Sequence, residues 1–114
     1  VDGTIYYNPE QLGLKVFAEI SNLALDYEFS MFIVWQDAEG NLFYGEDSGC
    51  SCPEPFQDVT GVEDLNTIIG ADGLQAFFDA LTSWGKNNST DTYGDMCTVE
   101  TTYVRRKVRE YMTR

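Results

Sequence analysis

The chain has 114 residues, 43% of them hydrophobic and 14% aromatic, which is ample for one packed domain and excludes intrinsic disorder. Nineteen acidic residues against seven basic ones give a net charge of -12, so attraction to nucleic-acid phosphates or to an anionic membrane is disfavoured. There is no histidine, which removes the commonest general base and zinc ligand and, with them, most hydrolase triads.

The opening Val1-Asp2-Gly3-Thr4 has neither a basic flank nor an apolar core, so no uncleaved secretory signal is expected. Residues 14 to 21 alternate, with Leu14, Val16, Ala18 and Ile20 on one side and Lys15, Phe17, Glu19 and Ser21 on the other, the pattern of a half-buried strand. From Tyr27 to Asp37 one face reads Tyr27, Phe29, Met31, Ile33 and Trp35, while Phe32 and Val34 make the other face apolar at its middle. A central strand with its second face partly covered is expected there. Asp37-Ala38-Glu39-Gly40-Asn41 supplies a turn, and Leu42 to Glu46 returns as a third strand. The longest apolar stretch, Met31 to Trp35, is far too short to cross a bilayer.

A cysteine loop is expected over 47–58. Thr60-Gly61-Val62-Glu63 then has the form of a capping box, and Val62, Leu65, Ile68 and Ile69 fall on one side, predicting a short helix over 61–69. Leu74, Phe77, Phe78, Leu81 and Trp84 recur at helical spacing and predict a second helix over 72–84, stopped by Gly85. Residues 86–95 are polar and read as a loop. Val104, Val108, Tyr111 and Met112 repeat at three and four, predicting a basic C-terminal helix over 100–113. Together these elements predict a single α+β domain over 1–114, a two-layer sandwich in which helices cover one face of a three-stranded antiparallel meander.

Cys50 and Cys52 sit one residue apart beside Gly49, Pro53 and Pro55. A Cys-x-Cys pair suits zinc or copper(I), but a closed site would need Cys97 as a third ligand and a carboxylate as a fourth, which is a rare combination. The three cysteines are therefore only weak metal candidates, and no cofactor is expected. Their odd number fits reduced thiols in a cytoplasm better than a disulfide framework, with one bridge and one free thiol as the alternative.

The run Asp47-Ser48-Gly49-Cys50-Ser51-Cys52-Pro53, followed by Pro55-Phe56, resembles a family of small uncharacterised proteins of actinobacteriophages, including mycobacteriophages. Tyr6-Tyr7-Asn8-Pro9-Glu10 with Leu12-Gly13-Leu14, and Val34-Trp35-Gln36-Asp37 with Gly40, resemble that family's opening and central hairpin. The likeness spans approximately residues 5 to 80. It implies a phage origin and a setting in the host bacterial cytoplasm, without implying an activity.

Arg105, Arg106, Lys107, Arg109 and Arg114 form a basic terminal segment on an otherwise acidic chain. Arg105 and Arg109 are one helical turn apart, so an exposed basic ridge is expected beside the stripe of Val104, Val108, Tyr111 and Met112. Arg105, Arg106 and Arg109, with Glu46 and Asp47, are candidate partner-binding residues. The ridge is expected either to engage a host protein or to pair with a second copy as a homo-oligomer.

No phosphate loop, dinucleotide fingerprint or elbow serine occurs, and Glu46 and Asp47 would point to opposite faces of an extended segment. The expectation is therefore a small non-enzymatic phage protein that binds a host protein and modulates host metabolism or defence, with no direct nucleic-acid or membrane partner. One alternative is an acidic DNA mimic that inhibits a DNA-binding host enzyme. The other is a cysteine-based metal or thiol regulatory module.

Overall fold

Met31 to Trp35 is the most apolar stretch of the chain, and it becomes the middle of the sheet. The computed structural model describes residues 5–22, 28–50, 56, 58–88 and 94–113, with side chains except at 22, 28, 29, 49, 50, 87, 88 and 94–99. The strands are β1 (Leu14–Asn22), β2 (Glu28–Asp37), β3 (Leu42–Cys50) and β4 (Asn66–Ile68), and the helices are α1 (Gly70–Asn88) and α2 (Gly94–Thr113). Two compact units divide the chain, Val1–Thr67 and Ile68–Arg114.

The sheet has four strands in the order β1-β2-β3-β4, with β1–β2 and β2–β3 antiparallel. The expected α+β class is correct, but the three-stranded sheet is not. The added strand comes from the segment 61–69 that helical spacing assigned to a helix. The Thr60 signal does open a turn, but only a 3-10 turn over Val62–Asp64. It is closed by Asp64, whose carboxylate accepts from the Thr60 backbone N–H at 3.0 Å, the Thr60 hydroxyl at 3.2 Å and the Gly61 N–H at 3.3 Å. Leu65 then turns extended (φ -101°, ψ 159°), and the β-branched run Thr67-Ile68-Ile69 favours continuing that way. Asn66 Nδ2 donates to the Tyr44 carbonyl of β3 at 3.5 Å.

A second correction concerns β1. Its pairing with β2 runs Leu14↔Asp37 and Val16↔Trp35, then slips to Ala18↔Val34 and Ile20↔Phe32. Phe17 is the extra residue of a bulge, and one inserted residue exchanges the faces of everything beyond it. Leu14 and Val16 therefore share the face of Trp35, while Ala18 and Ile20 share that of Phe32 and Val34. The four do not form one face. Val16 is exposed, whereas Leu14, Ala18 and Ile20 are buried.

On the Trp35 face, Met31, Ile33 and Trp35 of β2 pack with Ile5, Leu14, Phe43, Phe56 and Leu65. Gly45 of β3 faces this cluster, where a β-carbon would sit in ordinary contact with Trp35, Phe56 and Leu65 at 3.5–3.6 Å. The opposite face carries Phe32, stacked on Tyr44 at 5.7 Å and 12°. Phe32 and Val34 are fully buried, so this face is more than partly covered. The β2–β3 turn is closed by Asp37, whose carboxylate accepts from the backbone N–H groups of Glu39 and Asn41 and from the Asn41 amide. Gly40 supplies the left-handed φ of 92° that the turn requires.

β3 continues four residues beyond the expected Glu46, so the cysteine loop does not begin at 47. In the helical unit both helices are longer than expected. α1 begins two residues before Asp72 and runs through Gly85 to Asn88, so the polar segment at 86–95 is helical at both ends, and its residues 89–93 lie outside the described residues. Gly85 does not stop the helix. It faces α2, where an added β-carbon would meet Thr101 Cγ2 at 3.3 Å. α2 starts six residues before the expected position 100. Phe77, Leu81 and Trp84 of α1 and Thr101, Val104 and Val108 of α2 are buried. Phe29, expected in the core, lies outside the described side chains.

Candidate functional site

Glu46 and Asp47 are consecutive on β3, opposite Phe32 and Met31, and so point to opposite faces. Glu46 is exposed, yet burial by its surroundings raises its pKa above the ordinary carboxylate value. Tyr44, two residues back on the same face, is likewise raised, first by burial and then by the Glu46 charge. Asp47 is half-buried and engaged: it accepts from the Ser48 N–H at 2.9 Å and from the Phe56 N–H at 2.6 Å. It belongs to the scaffold of the sheet unit. Cys50 closes β3 opposite Glu28. The Cys50 and Cys97 side chains and all of Cys52 lie outside the described residues.

Of the two arginines expected to form an exposed ridge, both contact α1, and Arg109 remains exposed. Arg105 is half-buried, with Nη2 donating to Thr82 Oγ1 at 3.0 Å. The Arg109 guanidinium lies over the Phe78 ring, 5.1 Å from its centroid. Lys107 sits 6.0 Å from the centroid of the Tyr103 ring, and Arg106 is exposed. Val104 and Val108 are buried as expected, and Tyr111 and Met112 are half-buried.

Each unit carries a hollow. In the sheet unit, Gly13, Leu14, Lys15, Gln36, Asp37, Ala38 and Gly40 line a shallow hollow of about 400 Å³. In the helical unit, Leu81, Thr82, Gly85, Lys86, Thr101, Thr102 and Arg105 line a groove of about 240 Å³. The second was missed in the sequence because its residues come from two helices nearly twenty positions apart. The spacing of Thr82 to Lys86 and of Thr101 to Arg105, four residues in each case, was the available signal.

Residues 3–114 match the model of a family described as Domain of unknown function (DUF7574). The chain belongs to the DUF7574 family. No curated protein and no solved structure matches it.

The charge of this DUF7574 chain divides with its units. Residues 1–67 hold thirteen acidic side chains and one basic one, Lys15, whereas residues 68–114 hold six of each sign. The whole net charge of -12 therefore resides in the sheet unit. Of its acids, Asp37, Asp47 and Asp64 hold turns and loops, and Glu19 accepts from the Ser21 hydroxyl at 2.6 Å. Glu39, Asp58 and Glu63 stand exposed. Among the described residues no three of Cys, Asp and Glu converge in a group that could hold a metal ion, and no helix is long and apolar enough to cross a membrane.

Proposed function

We propose that this chain is a non-enzymatic binding protein that acts in a phage-infected bacterium, presenting the acidic surface of its sheet unit to a basic region of a host protein and so modulating that protein. The observation that carries this reading is the confinement of the net charge to one unit. A unit with thirteen acids and one base repels itself, and its field draws in a positively charged partner before contact. The structural roles of Asp37, Asp47 and Asp64 account for only part of that charge. The phage and host-cytoplasmic setting rests on the resemblance carried by Asp47 to Pro53.

The test is affinity capture from an actinobacterial host, comparing the native chain with a triple variant, Glu39→Lys, Asp58→Lys and Glu63→Lys, and with Arg106→Glu in the helical unit. The expected result is a partner retained at low salt, released as salt rises, lost by the triple variant and kept by Arg106→Glu. Equal recovery by the triple variant overturns the acidic-surface reading. Release of the captured partner by added double-stranded DNA, at a concentration where an unrelated polyanion such as polyglutamate leaves it bound, would point to a DNA-binding partner and to the acidic unit as a DNA mimic.

A further inference from the structure

The groove between α1 and α2 gathers positive charge around a hollow in this acidic protein. Lys86 and Arg105 both line it together with Thr82, Thr101 and Thr102, and none of its described lining residues is a carboxylate. Thr82 and Lys86 are one helical turn apart on α1, and Thr101 and Arg105 one turn apart on α2, so each helix brings a threonine and a cation to the same groove. Gly85, which also lines the groove, carries no side chain, and a β-carbon there would lie 3.3 Å from Thr101 Cγ2.

Arg105 is held in place by its bond to Thr82 Oγ1, which uses one of the five guanidinium donors. Thr82 accepts that bond and keeps its own proton to donate. A fixed guanidinium, an ammonium on a flexible stem and hydroxyl donors are the groups that recognise a tetrahedral oxyanion. The groove's 240 Å³ is below the range of pockets for drug-sized ligands, which favours a small occupant. We propose that this groove binds the phosphate group of a small ligand, either inorganic phosphate or a phosphomonoester.

Amide chemical shifts of the full chain, followed while inorganic phosphate is added and again while glycerol phosphate is added, test this. Sodium chloride at matched ionic strength is the control, because any salt screens the acidic unit. The expected result is saturable shifts confined to residues 81–86 and 101–105 with at least one phosphate compound and not with chloride. Tighter binding of glycerol phosphate assigns the site to a phosphomonoester, and tighter binding of phosphate assigns it to the free ion. Arg105→Gln should weaken binding about tenfold or more. Lys86 is exposed, so Lys86→Gln reports on the site without threatening the fold. Shifts no different from those in chloride, or a saturating response unchanged in both variants, overturn the proposal.

Discussion

The carboxylate of Asp47 accepts the backbone N–H of Phe56 at 2.6 Å, tying β3 to a residue nine positions on. Phe56 holds a left-handed φ of 62°, which a bulky side chain seldom adopts, and its buried ring meets Trp35 edge to face at 5.2 Å and 84°. The charged acceptor and the ring packing together offset the cost of that backbone conformation. Asp47→Ala is expected to destabilise the protein by about 1–3 kcal/mol in denaturant unfolding, by leaving a partly buried N–H without its charged acceptor. Asp47→Asn keeps an acceptor oxygen and should lose less. Equal stability of Asp47→Ala and the native chain would remove the clamp from the account.

Asp64 should give acid sensitivity a local source. The Thr60 backbone N–H, then the Thr60 hydroxyl and the Gly61 N–H, hold its pKa below the ordinary value. A carboxyl depressed in the folded state contributes stability that is complete above its unfolded pKa and lost as pH falls through the lower folded value. Asp37 is depressed in the same direction, first by the Asn41 side chain. Denaturation midpoints measured from neutral pH downward should therefore fall through the carboxylate range. Asp64→Asn should fall less steeply, and an unchanged slope would show that the turn contributes nothing to the pH dependence.

Glu46 carries the opposite sign. Burial raises its pKa, so its contribution is fully present below the unfolded value and is lost as pH rises through the raised folded value. At neutral pH the ionised carboxylate is a cost to the fold. Glu46→Gln should raise the neutral-pH midpoint slightly and make no difference in acid. A variant less stable at neutral pH would show that the carboxylate makes a favourable contact instead.

Burial in the helical unit separates two positions, one on each helix. Phe77 is fully buried, and Phe77→Ala should cost about 3–5 kcal/mol. Arg109, exposed above the Phe78 ring, offers only a cation–π contact, so Arg109→Ala should cost about 0.5–1 kcal/mol. Comparable losses at the two positions would mean that the arginine carries more of the helix pairing than its exposure suggests.

Short-range patterns in the sequence determined the α+β class, the β2–β3 hairpin with its Asp37–Gly40 turn, and the buried positions Ile33, Trp35, Phe77, Leu81, Val104 and Val108. These depend on alternation, helical period and turn chemistry, which act within a few residues. Only the tertiary structure decided the rest. The bulge at Phe17 is set by pairing with β2, and nothing in the alternation of residues 14 to 21 announces it. The segment 61–69 satisfies a helical spacing and a strand propensity at once, and Leu65, packed with Trp35 and Phe56, goes with the sheet unit. Gly85 looks like a stop, yet the helix runs through it, and a β-carbon there would sit tightly against Thr101 of the second helix. The two charged features of the molecule are likewise products of the fold. The division of the chain into units assigns the whole net charge to the unit Val1–Thr67, and the pairing of α1 with α2 brings Lys86 and Arg105 to one groove from positions nineteen residues apart.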